Sequence, residues 1–258
     1  MLPHRRTSIG ERQWHITVDH WRQDINKKDM NEVNTLDNKM ACANDMLGAG
    51  TVKLVELFAG SRSVGQVGEQ LGMKVFSVDW QTFEGIDLAI DIGNMKKEDV
   101  PFVPDVVWAS PDCTTYTIAA ISTHRNGTEP KSDYAKKCDQ VNRHFIGLIK
   151  EWLKINPKLV FFIENPRGML RKMPFMQEFK RHTIWYCQYG DNRAKPTDIW
   201  TNSENWKPKK VCHNGNKNCH HQPAPRGSKT GTQGRKGSYE RSKIPKELCV
   251  EVLSSACA

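Results

Sequence analysis

The sequence predicts an α/β fold built on a mostly parallel sheet. Three observations predict it. Between residues 51 and 203 short apolar runs alternate with amphipathic stretches, a glycine turn joins the first run to the first amphipathic stretch, and an acidic residue closes the second run. Such alternation implies right-handed crossovers. It also puts functional residues in the loops beyond the carboxyl ends of the strands.

Each element has its own signal. TVKLVELF is a buried strand ending at Ala59-Gly60, and Val64–Leu71 is an amphipathic helix stopped by Gly72. KVFSVDW is a second strand, and DVVWAS, between Pro104 and Pro111, is a third. Asp133–Ile155 is a long helix whose apolar face is Val141, Phe145, Leu148, Ile149, Trp152 and Leu153, with Pro157 just beyond it. KLVFFIEN and TIWYCQYG are a fourth and a fifth strand. Around this domain (51–203), residues 1–50 read as a polar arm or short helices and 204–243 as a short irregular basic region. Residues 244–258 read as a helix packing back on the domain, with Pro245 in its first turn.

Composition narrows the class. No apolar run in the 258 residues approaches the ~18 needed for a membrane span, so no membrane partner is expected. MLPHRRTSIGERQW lacks the apolar stretch of a secretory signal. Eight cysteines in a chain this long suit a reducing, cytoplasmic setting better than a disulfide scaffold. The net charge of +9 is concentrated: residues 204–247 carry 11 basic and three acidic side chains, against net zero in 1–50 and +2 in 51–203. A block of that density neutralises phosphates, which points to nucleic acid, the alternative being a solvated basic tail.

Three constellations carry chemistry. In ELFAGSRSVG, Gly60 permits a tight turn and close approach of a ligand before a helix N-terminus. Asp79, at the end of the second strand, is placed for ribose hydroxyls, Trp80 for stacking on an adenine and Asp91 for its exocyclic amine. No phosphate-binding Lys-Ser/Thr or three-glycine pattern is present, so adenosine without pyrophosphate, as in S-adenosylmethionine, is the expected cofactor. In SPDCTTYT, Cys113 is either a nucleophile past a strand end or a buried structural thiol. In FFIENPRG, Glu164 follows two phenylalanines in a dry setting that favours a held proton, with Arg167 and Arg193 as candidates to orient it. Its bland alternative is a turn cap.

In this order the motifs resemble those of the DNA cytosine-5 methyltransferase family. ELFAGSRSVG is similar to the first family motif, with Glu56 where Asp is usual, SVDW to the second and IDIGN to the third. SPDCTTYT aligns with the catalytic Pro-Pro-Cys-Gln loop, IENPRG with the Glu-Asn-Val motif and QYGDNRAKP with the arginine motif. The chain departs at Asp112, Thr114, Pro166 and Lys195, which replace Pro, Gln, Val and Arg. The resemblance covers Leu54 to about Trp200. It implies a Rossmann-like S-adenosylmethionine-dependent methyltransferase fold with Cys113, Glu164 and Arg193 as catalytic residues. It likewise implies Phe58, Ala59, Gly60, Asp79, Trp80, Asp91, Ile92 and Pro111 around the cofactor. The implied reaction adds the Cys113 thiolate to carbon 6 of cytosine, with Glu164 at ring nitrogen 3. It then methylates carbon 5 and releases the cysteine on loss of the carbon 5 proton. The base must be flipped out of its duplex.

The implied enzyme is compact, phage-like or of the restriction-modification type, and monomeric, in a bacterial or phage-infected cytoplasm. Its target-recognition region is short. Arg226, Lys229, Arg235 and Lys236 suit phosphates, and Gln233 or Arg235 suits base edges. Within VCHNGNKNCHH, Cys212, Cys219, His220 and His221, beside His213, are candidate ligands for a structural zinc, although the spacing is that of no standard finger. An RNA cytosine-5 methyltransferase and a catalytically silent cofactor- and DNA-binding protein are the competing readings.

Overall fold

Seven strands form one sheet in the order β3-β2-β1-β4-β5-β7-β6 in the computed structural model, which describes residues 50–223 and 237–257. The strands are β1 (Lys53–Leu57), β2 (Lys74–Asp79), β3 (Leu88–Ala89), β4 (Val106–Ala109), β5 (Val160–Pro166), β6 (Arg181–Trp185) and β7 (Pro196–Thr201). The pairs β1–β2, β2–β3, β1–β4 and β4–β5 are parallel, whereas β7 runs antiparallel to both its neighbours. The result is a Rossmann-like, mostly parallel α/β sheet. Strand order reverses between β1 and β4, and in such sheets the crevice beyond the strand ends at that point receives ligands.

Helix α1 (Ser63–Gln70) buries Val64 and Val67, and its glycines let it lie close on the sheet. A methyl group at Gly65 would stand 2.5 Å from Glu56 Oε2. Helix α2 (Asp133–Ile155) begins where Ser132 Oγ accepts from the Ala135 amide at 3.1 Å. It buries Phe145, Leu148, Ile149 and Trp152 in the main core with Val55, Val107, Phe161 and Trp200. Helix α3 (Lys246–Ala256) buries Leu248, Val252 and Leu253 and packs against α1, with Pro245 at its N-cap.

Three details differ from the sequence reading. The fifth predicted strand stops at Trp185, opposite Pro196 where its ladder partner begins, and Tyr186–Tyr189 turns away as a 3₁₀ segment closed by Gly190 at φ +81°. PTDIWT, not predicted as a strand, is β7, inserted between β5 and β6 with proline at its first position. The two-residue β3 was also not anticipated. The arm expected over residues 1–50 lies outside the described residues, Gly50 excepted. No helix among the described residues is long and apolar enough to cross a membrane.

Candidate active site

The turn after β1 is held in an unusual backbone. Phe58, Gly60 and Arg62 all have positive φ (57°, 49° and 54°), a conformation that costs the two non-glycine residues of order 1–3 kcal/mol each. Several interactions fix it. The Phe58 ring packs edge-on to Phe145 at 5.4 Å, the Ala59 amide donates to Val78 O at 3.0 Å, and the Gly60 amide donates to Asp79 Oδ2 at 2.9 Å. Arg62 is drawn away by Ser77 (3.0 Å) and Glu69 (2.5 Å). An acceptor therefore faces this turn where a pyrophosphate site would need donors and cations. A methyl group built on Gly60 meets nothing within 4 Å, so the space before the turn is open.

The neighbouring residues give that space its chemistry. Asp79 Oδ1 also accepts from the Gln81 amide at 3.0 Å, and Trp80 is 70% exposed. Asp91 caps the 3₁₀ turn Ile92–Asn94 through Gly93 N (3.0 Å) and pairs with Lys137 at 2.8 Å, which holds its carboxyl below the usual range. Ile92 is buried beneath it. A carboxylate, an open glycine turn and an exposed indole suit a hydroxylated, aromatic, non-phosphorylated ligand.

Cys113 lies in the next loop, across the switch point, four residues after β4. Ser110 N donates to Leu57 O at 3.2 Å and Asn165 Nδ2 to Pro111 O at 2.8 Å, so the loop after β4 is tied to the ends of β1 and β5. Gly168 completes the junction, because a methyl group there would stand 2.4 Å from the Tyr116 carbonyl oxygen. Below Cys113, Tyr116 donates to Asp139 at 2.7 Å. Arg125 clamps Asp139 (2.6 and 3.1 Å) and Thr115 (2.9 and 3.0 Å) in a buried network. Asp112, which stands where the family motif has its second proline, is engaged: the Thr114 amide donates to it at 2.7 Å and the Tyr134 hydroxyl donates to its other oxygen. Burial pushes the Cys113 thiol up to about 11. Lys195 pulls it down, and Asp112 and Glu164 add to the rise.

Glu164 is 5% exposed at the end of β5. Tyr186 donates its hydroxyl to Oε1 at 2.8 Å, and Lys195 Nζ stands 3.7 Å from the same oxygen. Arg193, the predicted catalytic arginine, is not the residue that meets it. Its guanidinium is buried against Asp191 and the carbonyls of Arg241 (3.0 Å) and Lys243 (2.9 Å), with its carbon 5.3 Å from the Tyr186 ring centre. Both cations lie by the Tyr186 ring, Lys195 at 4.6 Å and Arg193 at 5.3 Å, and the arginine is held off the carboxylate by Asp191 and the two carbonyls. Arg167 is likewise elsewhere, over the Trp185 ring at 5.6 Å. Neither Tyr186 nor Gly168 was expected at the site, although Gly168 ends IENPRG and Tyr186 lies within TIWYCQYG.

A second cluster lies beyond β6. One donor atom from each of Cys187, Cys212, Cys219 and His221 lies within 4.8 Å of the others. His220, a predicted ligand, turns away and bonds Asp191 O at 3.0 Å, and Cys187, which sequence reading did not include, takes the fourth place. Arg226, Lys229, Gln233, Arg235 and Lys236 lie outside the described residues.

No protein-family model matches the chain, and no curated protein matches it. Among solved structures the chain is similar to the Entamoeba histolytica methyltransferase EhMeth, at 14% identity and a TM-score of 0.47 over 64% of this chain and 57% of that one. It thus spans little more than half of that protein. It is also similar to the magnesium protoporphyrin IX methyltransferase ChlM from Synechocystis PCC 6803, solved with bound SAM (13%, TM-score 0.32, 71% and 88%). A third neighbour is the plantazolicin methyltransferase BpumL in complex with SAH (12%, TM-score 0.27, 71% and 92%).

Proposed function

We propose that the chain is an S-adenosylmethionine-dependent methyltransferase that modifies carbon 5 of a cytosine flipped out of duplex DNA. The observation that carries this reading is the meeting of Cys113, Glu164 and Lys195 on one side of the switch point, with the open Gly60–Asp79 turn on the other. A thiol, a buried carboxyl and a cation are the set needed to add a nucleophile to an electron-poor ring and take up the charge that develops on it.

The turn fits the cofactor because Gly60 opens on free space next to the Asp79 carboxylate, and the exposed Trp80 indole follows directly along the chain. Phe58, Ala59, Gly60, Asp79, Trp80, Asp91, Ile92 and Pro111 would hold it. Bound S-adenosylmethionine supplies an electrophilic methyl group. Cys113 adds to carbon 6 of the base as thiolate, which Lys195 favours electrostatically. Glu164, oriented by Tyr186 and Lys195, meets ring nitrogen 3 and shares or transfers a proton as charge accumulates there. The Asn165–Pro111 bond keeps the two loops in register during these steps. DNA is the favoured substrate because the basic stretch 204–247 matches a polyphosphate.

The deciding experiment supplies duplex DNA carrying 5-fluorocytosine, matched RNA and S-adenosylmethionine. Fluorine cannot leave carbon 5 as a proton does, so a denaturant-stable protein–DNA adduct is expected with wild type and none with Cys113→Ser. An active preparation that forms no adduct overturns the mechanism. Adduct formation with RNA alone overturns the substrate.

A further inference from the structure

We infer that Cys187, Cys212, Cys219 and His221 form a closed tetrahedral zinc site that fastens the segment after β7 to the turn following β6. Tetrahedral S₃N coordination at the usual bond lengths sets the donor atoms about 3.4–3.8 Å apart. The four donors already lie within 4.8 Å, and Cys212 Sγ and His221 Nδ1 are 3.8 Å apart. A contraction of about 1 Å or less therefore closes the site.

Two further observations point to a metal. All three thiols are free although they converge, and each sulfur receives an amide donor. Gln188 Nε2 lies 3.7 Å from both Cys187 and Cys219, and Asn216 Nδ2 lies 3.4 Å from Cys212. Donors aimed at sulfur stabilise metal-bound thiolates and orient them, an arrangement neutral thiols do not need. In addition, His221 is 5% exposed and its Nε2 has no hydrogen-bond partner among the described residues. Burying an imidazole among thiols is unfavourable unless something in the cluster binds it.

The four protein ligands leave no open position, so the metal is structural rather than a Lewis acid for catalysis. Its place in the chain gives it a task. Cys187 directly follows Tyr186, which holds Glu164, and among the described residues the apolar cluster around the cysteine-histidine segment is small: Trp185, Ala194 and the cysteines themselves. The metal thus locks the start of the basic stretch to the element that orients the catalytic carboxyl. The linkage to Glu164 rests on the proposed function; the metal site does not.

The test uses the full chain purified from zinc-supplemented culture. About one zinc per chain is expected, released by a thiol-blocking reagent. Cys187→Ser and Cys219→Ser should each retain at least ten-fold less zinc, while His220→Ala and Cys257→Ser retain it. Because an unfolded variant would also lose metal, cobalt exchange into wild type is the independent arm, with thiolate charge-transfer and tetrahedral ligand-field bands expected. Wild type that carries no zinc and takes up no cobalt overturns the site, as does an octahedral cobalt spectrum. Loss of zinc in His220→Ala with retention in Cys187→Ser overturns the ligand set. None of these readouts needs methyl transfer, so failure of the proposed function and failure of this site are separable.

Discussion

The Tyr186 hydroxyl donates to Glu164 at 2.8 Å from a turn outside the strand that carries the carboxylate. Glu164 therefore depends for its orientation on a residue 22 positions further along the chain. Tyr186→Phe should lower methyl transfer about ten-fold and destabilise the fold by about 1–3 kcal/mol, because a buried acceptor loses its donor. Glu164→Gln should cost 10²–10⁴-fold in rate, the usual range for a lost acid–base group, with cofactor affinity unchanged. Single-turnover rates and equilibrium binding of S-adenosylmethionine check both.

The thiol at Cys113, at about 11, is almost entirely protonated in the free protein at neutral pH. Its alkylation by iodoacetamide should rise about ten-fold per pH unit from 7 to 10, since only the thiolate reacts. Asp112→Asn removes a neighbouring negative charge and should speed the reaction, while Lys195→Met should slow it. Mass-spectrometric rates at Cys113 report all three.

Glu56 is buried under α1, where burial pushes its carboxyl up to about 7 against the opposing pull of the Val64 and Gly65 amides and Ser77. A raised folded-state value means that its stabilising contribution is complete below about 4.5 and is lost as pH rises through about 7. Glu56→Gln should consequently gain on wild type between pH 5 and pH 8, by up to about 3 kcal/mol. Urea denaturation at the two pH values measures the difference.

Arg125 is buried against Asp139 and Tyr116 directly below the Cys113 loop. Arg125→Leu leaves Asp139 as an uncompensated buried charge and should destabilise the protein by about 3–5 kcal/mol. Chemical denaturation checks this, and faster proteolysis within residues 113–130 would locate the loss.

Neutralising Arg226, Lys229, Arg235 and Lys236 together should flatten the log–log salt dependence of DNA binding by about 0.9 for each phosphate no longer neutralised, up to ~3.6, with cofactor affinity retained. Binding titrations between about 50 and 200 mM salt provide the slope. An unchanged slope would assign DNA binding to another part of the chain.

Local signals carried much of the fold. The periodicity of Asp133–Ile155 gave α2 with both ends correct, because serine before it and proline after it mark the boundaries. Strand-end positions marked Cys113 and Glu164 because loops beyond parallel strands collect functional groups. What was hidden depends on direction and distance. Arg193 and Lys195 differ in the partners that hold them, Asp191 and two carbonyls for one and Glu164 for the other, and His220 and His221 in which way a loop residue turns. Cys187 belongs to a cluster whose other members begin 25 residues later, and β7 shows itself only through its partners β5 and β6.

Arg193 has a wider effect than its missed encounter with Glu164. Its backbone bridges Gln222, and its guanidinium holds the carbonyls of Arg241 and Lys243. One buried residue thus grips two separate points within the basic stretch, nineteen or more positions apart in the chain. Removing Arg193 would therefore release two distant stretches of chain at once, the one at Gln222 and the one at Arg241–Lys243.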